Sequence, residues 1–129
     1  MNGETILVVD DNQEIVYSIS ELLKYEGYQV VKAYDGMEAL NALEINNIDL
    51  ILLDVMMPVM DGLEATRRIR ALEHPDAGTV TILAMTAQSS ADSIRQCEQA
   101  GMNGYIAKPV EAAELIKILS EKCPKGCKN

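Results

Sequence analysis

The sequence predicts an α/β domain, a doubly wound parallel sheet of five strands with five helices. Three observations predict it. Apolar, β-branched runs alternate five times with segments whose apolar residues recur at steps of three and four. The runs are apolar almost throughout, as strands covered on both faces are. The links between runs and periodic segments are short, which calls for right-handed crossovers in one sheet.

The first run, TILVV at residues 5–9, ends in Asp10-Asp11-Asn12, where Asn12 can cap a helix. Ile15, Ile19, Leu22 and Leu23 give that helix its apolar face, and Gly27 stops it. Residues 28–33 (YQVVKA) form the second strand. Asp35-Gly36 opens the second helix, with Glu38 placed for a capping box and Met37, Ala39, Leu40 and Leu43 facing inward. The third strand, 48–53, runs straight into Asp54. A turn around Pro58 follows, and the third helix starts at Asp61 with Glu64 three residues on, burying Leu63, Thr66, Ile69 and Leu72. His74 falls in a loop and reads as solvated.

The fourth strand, 80–85 (VTILAM), ends in Thr86-Ala87. Ser89-Ser90 begins a fourth helix that turns Ile94 and Cys97 inward and stops at Gly101. A short fifth strand, GYIA at 104–107, ends in Lys108-Pro109. The fifth helix spans about 111–122 with Leu115, Ile116, Ile118 and Leu119 on one face. The chain of 129 residues thus reads as one domain, with its core at about 5–122 and a flexible tail at 123–129.

Composition is globular, at 48% hydrophobic and 24% charged, and the core must be aliphatic because Trp and Phe are absent. The formal charge of −9 disfavours a nucleic-acid face and a polybasic membrane contact. The opening residues lack a signal peptide's basic start and long apolar centre. No apolar run reaches the ~20 residues of a spanning helix. The expected location is cytoplasmic, either for the chain itself or for the cytoplasmic part of a membrane-bound protein. Cys97 reads as a small core residue. Cys123 and Cys127 lack two further ligands for zinc.

In an open α/β sheet, ligands bind beyond the carboxyl ends of the strands. Those ends collect Asp10 and Asp11 from the first strand, Asp54 from the third, Thr86 from the fourth and Lys108 from the fifth. Taken alone, Asp10 or Asp11 reads first as a helix cap, Thr86 as a cap or turn residue and Lys108 as a solvated charge. Taken together they complement one another. Three carboxylates on one rim repel, and an all-oxygen set of this kind suits Mg²⁺, with Mn²⁺ a possible substitute. A lysine and a threonine beside the ion describe a pocket for a phosphoryl group. The central carboxylate, Asp54, can then act as nucleophile and form an aspartyl phosphate.

The runs ILVVDDN, LLDVMMPVMDG, MTA and YIAKP, in this order and spacing, resemble the receiver domain of two-component response regulators over about residues 5–119. MPVMDGLEATRRIR and CEQAGMNGYIAKP are especially similar to receivers of hybrid sensor histidine kinases. The resemblance implies a flavodoxin-like sheet of order 2-1-3-4-5. It makes Asp54 the phosphoacceptor, and Asp10, Asp11, Asp54 and the backbone carbonyl of Met56 the Mg²⁺ site. Thr86 becomes the hydroxyl that moves toward the phosphoryl group, Lys108 its partner, and Tyr105 the switch aromatic. Pro58 and Pro109 shape the site, the Lys108-Pro109 bond being usually cis in the family. Ala87, Met56 and Gln88 tune access and lifetime.

The resemblance also implies a donor, a phosphohistidine on a histidine kinase or histidine phosphotransfer domain. The responding surface would be helix four, strand five and helix five, which could also serve a weak homodimer of an otherwise monomeric chain. Such a chain is a signalling phosphoacceptor and not an enzyme with a separate substrate. Two rival readings stand beside this one: a scaffold of the same fold that is never phosphorylated, and a small Mg²⁺-dependent phosphatase with an aspartate nucleophile. The latter would want a D-x-D pair after the first strand, where this chain has Asp10-Asp11-Asn12.

Overall fold

The computed structural model describes residues 4–45, 47–55, 61–72, 80–87, 90–108 and 110–122. Strands β1 (Thr5–Val9), β2 (Gln29–Ala33), β3 (Leu50–Asp54), β4 (Thr81–Thr86) and β5 (Gly104–Ala107) alternate with helices α1 (Gln13–Tyr25), α2 (Gly36–Ile45), α3 (Gly62–Ala71), α4 (Ala91–Ala100) and α5 (Ala112–Lys122). All neighbouring strands are parallel, in the order β2-β1-β3-β4-β5. The expected sheet and its order are both present.

Side-chain alternation along each strand divides the core into two layers. Leu7, Val9, Ile51, Leu53, Ile82 and Ala84 meet Ala39 and Leu43 of α2, Ala65 and Ile69 of α3, and Cys97 of α4. Ile6, Val8, Leu50, Leu52, Leu83 and Met85 meet Val16, Ile19 and Leu23 of α1 and Leu115 and Leu119 of α5. The central strand β3 is buried along its whole length. Each Leu or Ile fully buried there contributes roughly 1.5–3 kcal/mol.

Helix ends are set by the chemistry the sequence offers. Asn12 Oδ1 accepts from the backbone N–H of Glu14 and Ile15, Asp61 from Glu64, and Ser90 from Ser93. Gly27 and Gly101 take left-handed backbone, φ 99° and 112°, past the ends of α1 and α4. Asp35 Oδ1 accepts from the Glu38 N–H at 2.8 Å, as expected. Glu38 reaches back to the N–H of Tyr34, so the box closes one residue early.

Three expectations need correction. Met37 is half exposed, and Ala42 fills the inward position on α2. Ile94, Ile116 and Ile118 are only half covered, and so are Leu63 and Leu72 of the third helix. Strands three and four start later than their apolar runs, because Ile48 and Val80 are buried in the approaches. Those strands also extend one residue further, to include Asp54 and Thr86 themselves. Expectations for His74, Cys123 and Cys127 lie outside the described residues.

Candidate functional site

Parallel register brings the predicted residues together. Val9 lies opposite Leu53, which sets Asp10 beside Asp54. Asp54 lies opposite Met85, one residue before Thr86. Thr86 lies opposite Ala107, one residue before Lys108. Adjacent strands are about 4.8 Å apart, so the four strand ends span roughly 14 Å, a gap that the side chains of Lys108 and Asp10 close from either end.

Asp10 and Asp54 are 1% and 2% exposed, and Thr86 is buried as well. Lys108 Nζ donates to Asp10 Oδ2 and to Asp54 Oδ1, both at 3.0 Å. The other oxygen of Asp10, Oδ1, accepts from the Asn12 N–H at 2.9 Å, so the Asp10 carboxylate is held at both ends. The Lys108 N–H donates to the Thr86 carbonyl at 2.9 Å and fixes the end of β5 against β4. Because Asn12 caps α1, neither Asp10 nor Asp11 is spent on capping, and the commoner reading of those acids falls away.

Each of Asp10, Asp11 and Asp54 offers a carboxylate oxygen within 4.8 Å of the others. Ionised carboxylates at that separation, in an effective dielectric of about 20, repel by roughly 3.5 kcal/mol before solvation. Attraction to an ammonium at 3.0 Å is roughly 5.5 kcal/mol on the same scale. One lysine therefore outweighs the repulsion of the buried Asp10–Asp54 pair. Burial pulls the Lys108 pKa down, and the hydrogen bonds and charges of Asp54 and Asp10 override it, leaving the ammonium above its ordinary value. Three acids against one ammonium still leave two negative charges on the rim. Among the described residues this is the one acidic cluster of its kind. Its oxygen donors and its charge fit a hard divalent cation such as Mg²⁺.

A model of the response regulator receiver domain matches residues 6–120. This chain belongs to that family. The receiver is 44% identical over 111 residues to the CAI-1 autoinducer sensor kinase/phosphatase CqsS of Vibrio cholerae, a match covering 86% of this chain and 16% of that kinase. It thus spans a small part of that relative's length. Among solved structures, it is similar to the receiver domain of a sensor histidine kinase from Pseudomonas aeruginosa PAO1. Identity there is 42% and the TM-score 0.84, covering 93% of this chain and 97% of that one. That structure has a magnesium ion coordinated in its active-site cleft. Chemotaxis protein CheY4 of Vibrio cholerae is similar at 32% identity and a TM-score of 0.88, covering 93% and 98%. The receiver is therefore a domain of two-component and phosphorelay signalling, with the sheet order its sequence implied.

Around the receiver's acidic rim, Ala87 is exposed and lines a cleft of about 600 Å³ with Glu14, Ile15, Ile19, Lys108 and Val110. Tyr105, 39% exposed on β5, lines a separate groove of about 240 Å³ with Ile94, Cys97 and Met102. Cys97 is buried in the core as expected, and that burial pushes its thiol pKa up. Met56, Pro58, Gln88 and Pro109 lie outside the described residues. Sequence reading gave Asn12 its capping role and missed its lock on Asp10. The signal was present in Asp10-x-Asn12, since an aspartate side chain commonly accepts from the N–H two residues on.

Proposed function

We propose that this receiver accepts a phosphoryl group on Asp54 from a phosphohistidine of a histidine kinase or histidine phosphotransfer domain. The observation that carries this reading is Lys108 Nζ at 3.0 Å from both buried carboxylates, Asp10 and Asp54. It supports the reading because Lys108, which lines the cleft, holds its ammonium beside the buried Asp54 carboxylate. An oxygen of Asp54 attacks phosphorus, the bond from phosphorus to the imidazole nitrogen breaks, and the ring leaves with that electron pair. Lys108 keeps its proton at neutral pH and pairs with one phosphoryl oxygen, while the Thr86 hydroxyl donates to another. Asp10, Asp11 and Asp54 would hold Mg²⁺, with Mn²⁺ as a substitute. When bound, such an ion neutralises charge on the transferring group. Hydrolysis later returns Asp54 to its free state, so the chain works as a phosphoacceptor and not as an enzyme with its own substrate.

Phosphorylation adds about −1.5 to −2 charges to a rim built for cations. Thr86 and Lys108 reorganise around them, and Tyr105 turns from its exposed position toward the groove beside it. The face formed by α4, β5 and α5 shifts between two populations, and a partner or a second copy in a weak homodimer reads it. The setting is cytoplasmic, in a free domain or in the cytoplasmic part of a membrane-bound kinase. The test is transfer of label from a phosphohistidine donor. Asp54→Asn removes the nucleophile, stays folded, and takes up no label. A labelled Asp54→Asn chain would sink the assignment.

A further inference from the structure

We infer that Gly62 is a positioning residue for the Asp54 carboxylate. The first residue of α3 packs directly on the Asp54–Val55 peptide, and a side chain there would displace it. This rests on the reading of Asp54 as phosphoacceptor.

The peptide after Asp54 is gripped from two sides. Val55 N–H donates to the Met85 carbonyl of β4 at 3.1 Å, and Gly62 N–H donates to the Val55 carbonyl at 2.9 Å. Thr66 Oγ1 donates to the Gly62 carbonyl at 2.8 Å and braces the first turn of α3. A Cβ at Gly62 would lie 2.8 Å from Val55 Cα, 3.0 Å from the Asp54 carbonyl carbon, and closer still to the Asp54 carbonyl oxygen. All three neighbours are backbone atoms, which cannot rotate aside. Among the described residues the positive-φ glycines are Gly27 and Gly101, so close approach, and not left-handed backbone, is what demands glycine at 62.

A methyl group therefore forces either α3 away from the sheet or the Asp54 peptide away from α3. Asp54 Oδ1 sits 3.0 Å from Lys108 Nζ and within 4.8 Å of ligand oxygens on Asp10 and Asp11. Displacing its backbone loosens both relations at once. Misplacing a reacting group by about 1 Å can cost on the order of 100-fold in rate.

The experiment compares the wild-type chain, Gly62→Ala and Ala65→Gly. Ala65→Gly weakens the same helix without touching Asp54. Phosphoramidate is the donor, because it is small and needs no docked partner. The readouts are the labelling rate at saturating donor, the Mg²⁺ midpoint, and the carbon-13 shift of the Asp54 carboxyl. Gly62→Ala is expected to slow saturated labelling by about 100-fold, to raise the Mg²⁺ midpoint and to move the Asp54 signal. Ala65→Gly is expected to lower the melting temperature and leave all three readouts at wild-type values. A wild-type rate in Gly62→Ala overturns the inference, and so does equal slowing in Ala65→Gly. If Gly62→Ala unfolds, all chains are compared in trimethylamine N-oxide, which favours compact states. A variant that stays unfolded there overturns the inference, because the methyl group then acts on the whole fold. A wild-type chain that takes no label overturns the phosphoacceptor reading instead, and the two failures are thereby distinct.

Discussion

Lys108 carries its charge where water alone would not stabilise it, and two buried carboxylates do so instead. Its pKa in the folded chain lies above the ordinary 10.5. The sign of the pH effect follows. The unfolded chain loses this proton first, so the lysine's stabilisation is complete below pH 10.5 and is lost as pH rises through the folded value. Denaturant midpoints measured from pH 8 to 11.5 should fall more steeply at the alkaline end for wild type than for Lys108→Met. Parallel declines would show that the ammonium gains nothing from Asp10 and Asp54. At neutral pH, Lys108→Met leaves two buried carboxylates without their cation and should lower stability by about 3 kcal/mol.

At the level of elements, α4 has no basic residue of its own in its last turn, where a cation would favour the helix dipole. Arg70 of α3 provides one. Its Nε and Nη2 donate to the Gly101 carbonyl at 3.1 and 2.8 Å, Nη1 to the Val80 carbonyl at 2.8 Å, and Nη2 to Asn103 Oδ1 at 2.9 Å. Asn103 Oδ1 also accepts from the Ile82 N–H, so one guanidinium ties α3, α4, β4 and the approach to β5. Arg70→Ala strands partly buried carbonyls and should cost on the order of 2–3 kcal/mol. Amide exchange is the measure: protection should fall at the end of α4 and in β5 while β1 and β2 keep theirs. Uniform loss would mean the clamp is not local.

None of that clamp was legible beforehand, because nothing in the local spacing of Arg67, Arg68 and Arg70 sets one arginine apart from the others. Arg67 and Arg68 are exposed and pair with Glu64. Only the packing of α3 on α4 separates Arg70 from them. The strand-end acids were legible for the opposite reason. An apolar run that stops abruptly at a carboxylate marks a sheet rim in the sequence itself. Met37 misled because helical spacing gives a face but not its width. The Glu38 box slipped by a residue because spacing does not fix the path of the chain into a helix.

For the whole molecule, a divalent ion taken up by the Asp10, Asp11 and Asp54 rim would stabilise the native state. Mass action at about 100 times the dissociation constant adds roughly 2.7 kcal/mol, and in a domain of this size that raises the melting temperature by several degrees. Melting in magnesium chloride and then in EDTA measures it, and identical curves would count against a preformed site. The rim also records the history of the chain. Lys108 meets Asp10 across 98 residues of sequence and Asp54 across 54. Synthesis proceeds from the amino terminus, so the three acids exist on the ribosome before the lysine that gathers two of them. A nascent or half-assembled chain presents these carboxylates without the lysine that pairs with two of them. On the proposed reading, competence to accept a phosphoryl group would arise only after the last strand has docked, and incomplete molecules would stay silent without any separate device to silence them.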